Sequence, residues 1–141
     1  MASFNKFQQF AEDVGLGVHD LGSDTLKVLL TNTAPAATDA VKADLTEISA
    51  GNGYTAGGNA AANNAFSQTS GTGKLTADDV VFTASGGSIG PFRYAVLYND
   101  TPSSPADPLI GYWDYGSAIT LNDGESLTVD FDGTAGVLTV A

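Results

Sequence analysis

Two hydrophobic periods divide the chain. Near the start, Phe4, Phe7, Ala11 and Val14 recur at spacings of three, four and three, with Phe10 at the edge of the same stripe. That spacing predicts one helix over residues 3–14, with Ser3 at its N-cap and Gly15 and Gly17 ending it. From residue 25 onward the period becomes two, the signature of half-buried strands. Leu26, Val28 and Leu30 alternate with Thr25, Lys27 and Leu29 over residues 25–31. Residues 79–84 set Val80 and Phe82 on one face, and residues 92–98 set Phe92, Tyr94, Val96 and Tyr98 against Arg93, Ala95 and Leu97. In residues 109–115, Leu109, Gly111, Trp113 and Tyr115 share one face and Ile110, Tyr112 and Asp114 the other. Residues 118–121, 125–131 (Leu127, Val129 and Phe131 inward) and 136–140 are further short strands.

The connections have their own signals. Asn32-Thr33-Ala34-Pro35 stops the first strand. Thr38-Asp39 precedes Val41, Leu45 and Ile48 at helical spacing, which predicts a short helix. Residues 53–73 are a low-complexity run with Tyr54 and Phe66 as its large anchors, and they read as a long surface loop. Residues 101–108 hold three prolines and form a rigid polar loop outside any ladder.

The predicted fold is mainly β: an antiparallel β-sandwich or jelly-roll-like barrel with a short N-terminal helix and a long Gly-rich loop. Residues 1–20 form an N-terminal helical arm and residues 21–141 a single β domain. The arm has two readings. Its apolar stripe either covers one end of its own sheet or docks on a neighbouring subunit, because a helix this short is not stable alone.

Composition narrows the function classes. Sixteen acids against five bases give a net charge of −11, which excludes most phosphate-binding modes and disfavours anionic membrane surfaces. There is no Cys and a single His, so thiolate chemistry and a multi-histidine metal centre are not expected within one chain. No apolar run has the length of a membrane span, and the first residues do not resemble a signal peptide. Leu, Val, Ile and Phe supply only 33 of 141 residues, which implies a thin core.

Candidate chemistry is sparse. His19 has no serine in a strained Gly-x-Ser-x-Gly turn to work with, so it is expected to cap or link. Asp130-Phe131-Asp132-Gly133 begins like a calcium loop but lacks the acid at the twelfth position. Asp114 and Glu125 are an acid pair only by residue type. Glycines 51, 53, 57 and 58 do not form a phosphate cradle. Tyr112, Trp113 and Tyr115 either form a sugar platform or straddle a strand, with Trp113 in the core. Arg93 is expected to pair with Asp114 across strands.

Four stretches carry a resemblance: Leu21-Gly-Ser-Asp-Thr-Leu-Lys-Val28 with Thr31-Asn-Thr-Ala-Pro35; Ala43-Asp-Leu-Thr-Glu-Ile48 with Gly51-Asn-Gly-Tyr-Thr-Ala-Gly-Gly58; Phe92-Arg-Tyr-Ala-Val-Leu-Tyr98; and Pro108-Leu-Ile-Gly-Tyr-Trp-Asp-Tyr-Gly116. Together they resemble a family of small structural proteins of tailed bacteriophages, some of which look like capsid decoration proteins. The resemblance implies a non-enzymatic virion component without catalytic, metal or cofactor residues. Its partners would be the major capsid protein and neighbouring copies on the lattice, with neither nucleic acid nor membrane. The acidic charge favours the outer surface of the head over the lumen. Phe4, Phe7, Phe10, Val14, Tyr54 and Phe66 are the candidate interface. The alternatives are a receptor- or glycan-binding module on head or tail, and a tail-tube or terminator subunit.

Overall fold

The computed structural model describes residues 3–134 and 136–140. Its elements are β1 (Ser3–Lys6), α1 (Gln8–Gly15), β2 (Leu26–Thr31), β3 (Asn59–Ala60), β4 (Ala65–Thr69), β5 (Thr72–Thr76), β6 (Val80–Thr83), β7 (Ile89–Asn99), β8 (Leu109–Leu121), β9 (Ser126–Val129) and β10 (Leu138–Val140). The protein is mainly β. A five-stranded sheet of order β1-β8-β7-β2-β3 is joined by a three-stranded sheet, β10-β5-β4, and a two-stranded one, β6-β9. Every strand pair is antiparallel.

The main core lies between the large sheet and the two small ones. Leu26, Val28 and Leu30 of β2 enter it as their alternation requires, together with Phe92, Ala95 and Leu97 of β7 and Ile110 and Trp113 of β8. Opposite them are Val80 and Phe82 of β6, Val129 of β9, Leu75 of β5 and Leu138 of β10. This is a sandwich-like arrangement. A second, smaller cluster of Phe7, Leu29, Val96, Tyr98 and Leu109 occupies the other face of the large sheet, packed against Leu45 and Tyr112. With both faces covered, β2 is buried at nearly every position and Leu29 is as buried as its neighbours.

The N-terminal segment differs from the expected single helix. Phe4 lies in a strand: β1 pairs with β8 in the register Phe4↔Trp113 and Lys6↔Gly111. The chain turns at Phe7, whose N–H donates to the Ile110 carbonyl, and only then begins α1. Phe7 and Phe10 are buried in two different clusters. The expected 1–20 arm is therefore, from Ser3, an integral part of the domain; Met1 and Ala2 lie outside the described residues. The reason is pairing. A four-residue edge strand gains a ladder and packs Phe4 against the core, which a frayed terminal helix does not.

Three smaller expectations change. The 41–48 segment forms only a 3-10 turn at Lys42–Asp44, with both the Ala40 and Val41 N–H groups held by the Asp44 carboxylate. Part of the 53–73 run is structured as β3, β4 and the start of β5, closed by a tight turn at Ser70-Gly71. In β7 and β8 the alternation changes phase: Phe92 shares a core with Ala95 and Leu97, not with Val96 and Tyr98, and Trp113 shares that core with Ile110, while Leu109 lies on the other face. Register shifts on both sides of Phe92 introduce bulges, and each extra residue moves the following side chains to the other face.

Candidate functional site

The six candidate interface residues separate into two groups. Tyr54, Phe7 and Phe10 are buried, and Phe4 is half-buried with its ring edge-on to Trp113 at 4.9 Å. These four are corrected from interface to interior. Each apolar ring is already covered by this chain: Phe7 by Tyr112 at 5.3 Å, Phe10 by His19 at 5.2 Å, Tyr54 by Phe82 at 5.8 Å. Val14 and Phe66 remain exposed, at 36% and 38%.

Those two line the same groove. Its volume is about 580 Å³, and Val14, His19, Asp20, Gly22, Phe66 and Val140 are among its walls. A second groove of about 350 Å³ lies beside it, with Lys6, Phe7, Phe10, Val14, Thr139 and Val140 among its walls. Val14 and Val140 line both, so the two grooves are neighbours. Val140 is 39% exposed and Leu16, just after α1, 70%. The sequence reading missed both. Val140 looked like an ordinary strand residue, and Leu16 between two glycines lay outside the helical stripe.

Sequence puts the groove walls in place by pairing. Val140 reaches the groove because β10 pairs with β5 in the register Val140↔Gly73. Phe66 sits diagonally across and fills the space above Gly73, where a Cβ would meet the Phe66 ring. On the far wall, Asn99 is fully buried and organises the 19–24 segment. Its Nδ2 donates to the Asp24 carboxylate at 2.7 Å and to His19 Nδ1 at 3.1 Å, and its Oδ1 accepts from the Thr101 N–H. Accepting at Nδ1 leaves the His19 proton on Nε2, which is buried without a hydrogen-bond partner among the described residues. Burial lowers the His19 pKa, and the nearby Asp13 and Asp24 oppose that shift without reversing it. His19 is thus a neutral packing and linking residue.

A second polar network ties three of the four resembling stretches together. Tyr54 donates to Glu47 Oε2 at 2.6 Å and accepts from the Leu30 N–H at 3.0 Å. The same Glu47 oxygen accepts the Gly57 N–H, and Tyr98 donates to the Gly57 carbonyl at 2.6 Å. Burial pushes both tyrosine hydroxyls well above their ordinary pKa, with Glu47 adding to each shift. Thr31 donates to the Thr46 carbonyl, and Lys42 approaches Glu47 at 3.8 Å. The network is a lock between β2, β7 and the 46–58 segment.

The remaining candidates have structural duties. Arg93 and Asp114 pair as expected, Nε to Oδ1 at 2.8 Å and Nη2 to Oδ2 at 3.2 Å, and the guanidinium holds the Asp114 pKa below the usual carboxylate range. Glu125 accepts the Asn122 N–H in its turn. Asp130 is raised, chiefly by the charge of Asp79, and the Asp79 carboxylate accepts the Phe131 N–H. Among the described residues, no three His, Asp or Glu side chains group as a metal site. Trp113 is 5% exposed, between Phe4 and Phe131, so it offers no open face for a sugar. Burial pushes the Tyr115 hydroxyl up to about 12. No helix among the described residues is long and apolar enough to cross a membrane.

Compared with protein-family models, with curated proteins and with solved structures, the chain matches none.

Proposed function

We propose that this chain is a structural protein of the virion of a tailed bacteriophage, of the capsid decoration type, held on the outer surface of the head by contacts with the major capsid protein and neighbouring copies. The observation that carries this reading is the pair of adjacent grooves. Exposed Val14, Phe66 and Val140 gather there on a chain whose net charge is −11. Apolar surface gathered in this way on an otherwise acidic molecule favours binding to another protein. Two further features support it. The resembling stretches are joined to one another by the Glu47–Tyr54–Gly57–Tyr98 lock and the Arg93–Asp114 pair, so they describe one framework and not scattered surface residues. Trp113, on which a glycan-binding reading would rest, is buried.

A decoration protein acts by mass action. It binds the assembled shell and not its unfolded or dissociated subunits, and many weak sites act in parallel. The test is made on purified particles. Under this reading they contain on the order of hundreds of copies of the chain, and particles lacking it release DNA at a lower temperature, restored by adding the purified protein. Absence from the particles, or a handful of copies confined to the tail, overturns it.

A further inference from the structure

We infer that the free edge of β4 and the groove beside it take an extended segment of a partner protein whose apolar side chains are flanked by Lys or Arg. The inference rests on the proposed function only for where that partner is met, on the shell of the particle.

β4 is the outer strand of its sheet, and all five of its residues are exposed. The hairpin closes through Ser70 and Gly71, both at positive φ, with Thr69 opposite Thr72. In a two-residue hairpin the pair flanking the turn exchanges both ladder bonds, and hydrogen-bonded and open pairs then alternate. The main-chain N–H and C=O groups of Phe66 and Gln68 therefore point away from β5. No described residue bonds to them, and the Gly22 backbone lies beside the Phe66 nitrogen, which leaves Gln68 as the more open of the two. Edge strands are ordinarily guarded by a charge, a proline or a bulge. Ala-Phe-Ser-Gln-Thr contains no charge and no proline, and its register with β5 is unbroken.

The side chains beside this edge select the partner. Phe66, Leu75 and Leu138 form one row across the sheet, of which the last two are buried and Phe66 is left at the rim. The next row is Gln68, Gly73 and Val140. A strand added along β4 extends these rows and sets alternate side chains over Phe66 and the groove. Across the groove the walls carry Asp20 and no Lys or Arg. The Asp20 carboxylate accepts no hydrogen bond from any described residue. Charge complementarity calls for a cationic segment. It also disfavours a second copy, which would bring a further −11 to an acidic rim.

The test uses the full-length protein with two probes: particles lacking it, and a synthetic peptide of alternating Val and Lys, with a Val–Glu peptide as control. The variants are Phe66→Asp and Asp20→Lys, whose exposed positions leave the core intact; melting temperatures verify folding. Expected results are binding of the particles that weakens about tenfold or more in each variant, falls with added salt, and slows amide exchange at Phe66 and Gln68. The Val–Lys peptide is expected to bind and the Val–Glu peptide not. Particle binding that leaves those amides unprotected, or that the variants retain, overturns the inference while the virion reading stands. Protein that ignores particles but binds the Val–Lys peptide sinks the virion reading and leaves the surface assignment intact; binding to neither overturns both. A dimer of the free protein that Phe66→Asp abolishes assigns the edge to a second copy and overturns the cationic partner.

Discussion

At Gly58 the backbone adopts φ +79°, and a Cβ there would overlap the Val28 carbonyl oxygen. The residue lies between β3 and the lock at Gly57, where the chain is pulled against β2. Both the left-handed conformation and the absent side chain are required. Gly58→Ala is expected to remove the cooperative unfolding transition, followed by circular dichroism, because a backbone atom cannot move aside as a side chain can. A transition within a few degrees of the parent would show that the 46–58 segment is not rigidly held. Trp113 is a second residue-scale determinant. It is buried between Phe4 and Phe131, and truncation to Ala leaves a cavity where β1, β8 and the segment after β9 meet. The expected loss in chemical denaturation is about 3–5 kcal/mol. A loss under about 1 kcal/mol would mean the surrounding rings collapse to fill the space.

At the scale of elements, the N-terminal segment is held by more than its helix. β1 contributes a ladder with β8, while Phe7 and Phe10 fill positions on opposite sides of the large sheet. Removing residues 1–14 exposes the β8 edge and two core faces at once. The truncated chain is expected to melt more than about 10 °C below the full chain, or not to fold. If the melting temperature stays within a few degrees, the segment is peripheral and the arm reading returns. The β4–β5 hairpin contrasts with it. β4 is exposed along its length, and its pairing to β5 carries few buried side chains beyond those of β5 itself. It is the element with most surface left to offer a partner.

For the whole molecule, acid stability follows from where charge is buried. His19 has a folded pKa below its ordinary 6.5, chiefly through burial. The unfolded chain then binds a proton more readily than the folded one, so stability falls as pH drops below about 6.5. Above that value neither state is protonated and the group contributes no slope. The measured melting temperature should decline from pH 7 to pH 5, and His19→Gln should flatten that decline. An unchanged slope in the variant would place its origin elsewhere. At lower pH the exposed Asp44 and the half-buried Asp114, both depressed below 3.8, lose their stabilising contribution as they are protonated, Asp44 from the Ala40 and Val41 N–H groups and Asp114 from Arg93. Asp107, raised chiefly by burial, and Asp130, raised chiefly by the charge of Asp79, act in the opposite sense.

Local pattern alone determined the β class, most of the strands and, from residue type, the burial of Trp113. Each depends on a period of two or on residue type at a strand position, which short-range sterics and burial impose on any solution of the fold. Tertiary structure decided the rest. Phe4, Phe7, Ala11 and Val14 satisfy a helical period, yet Phe4 pairs with Trp113 because β8 has a free edge, which no local window contains. Phe92 and Ala95 share a core because bulges shift the phase of β7, and a bulge is specified by the partner strand. The groove is the clearest case. Val14, Phe66 and Val140 come from a helix, a hairpin and the last strand, and a surface assembled from three distant segments exists only once long-range pairing has set their register.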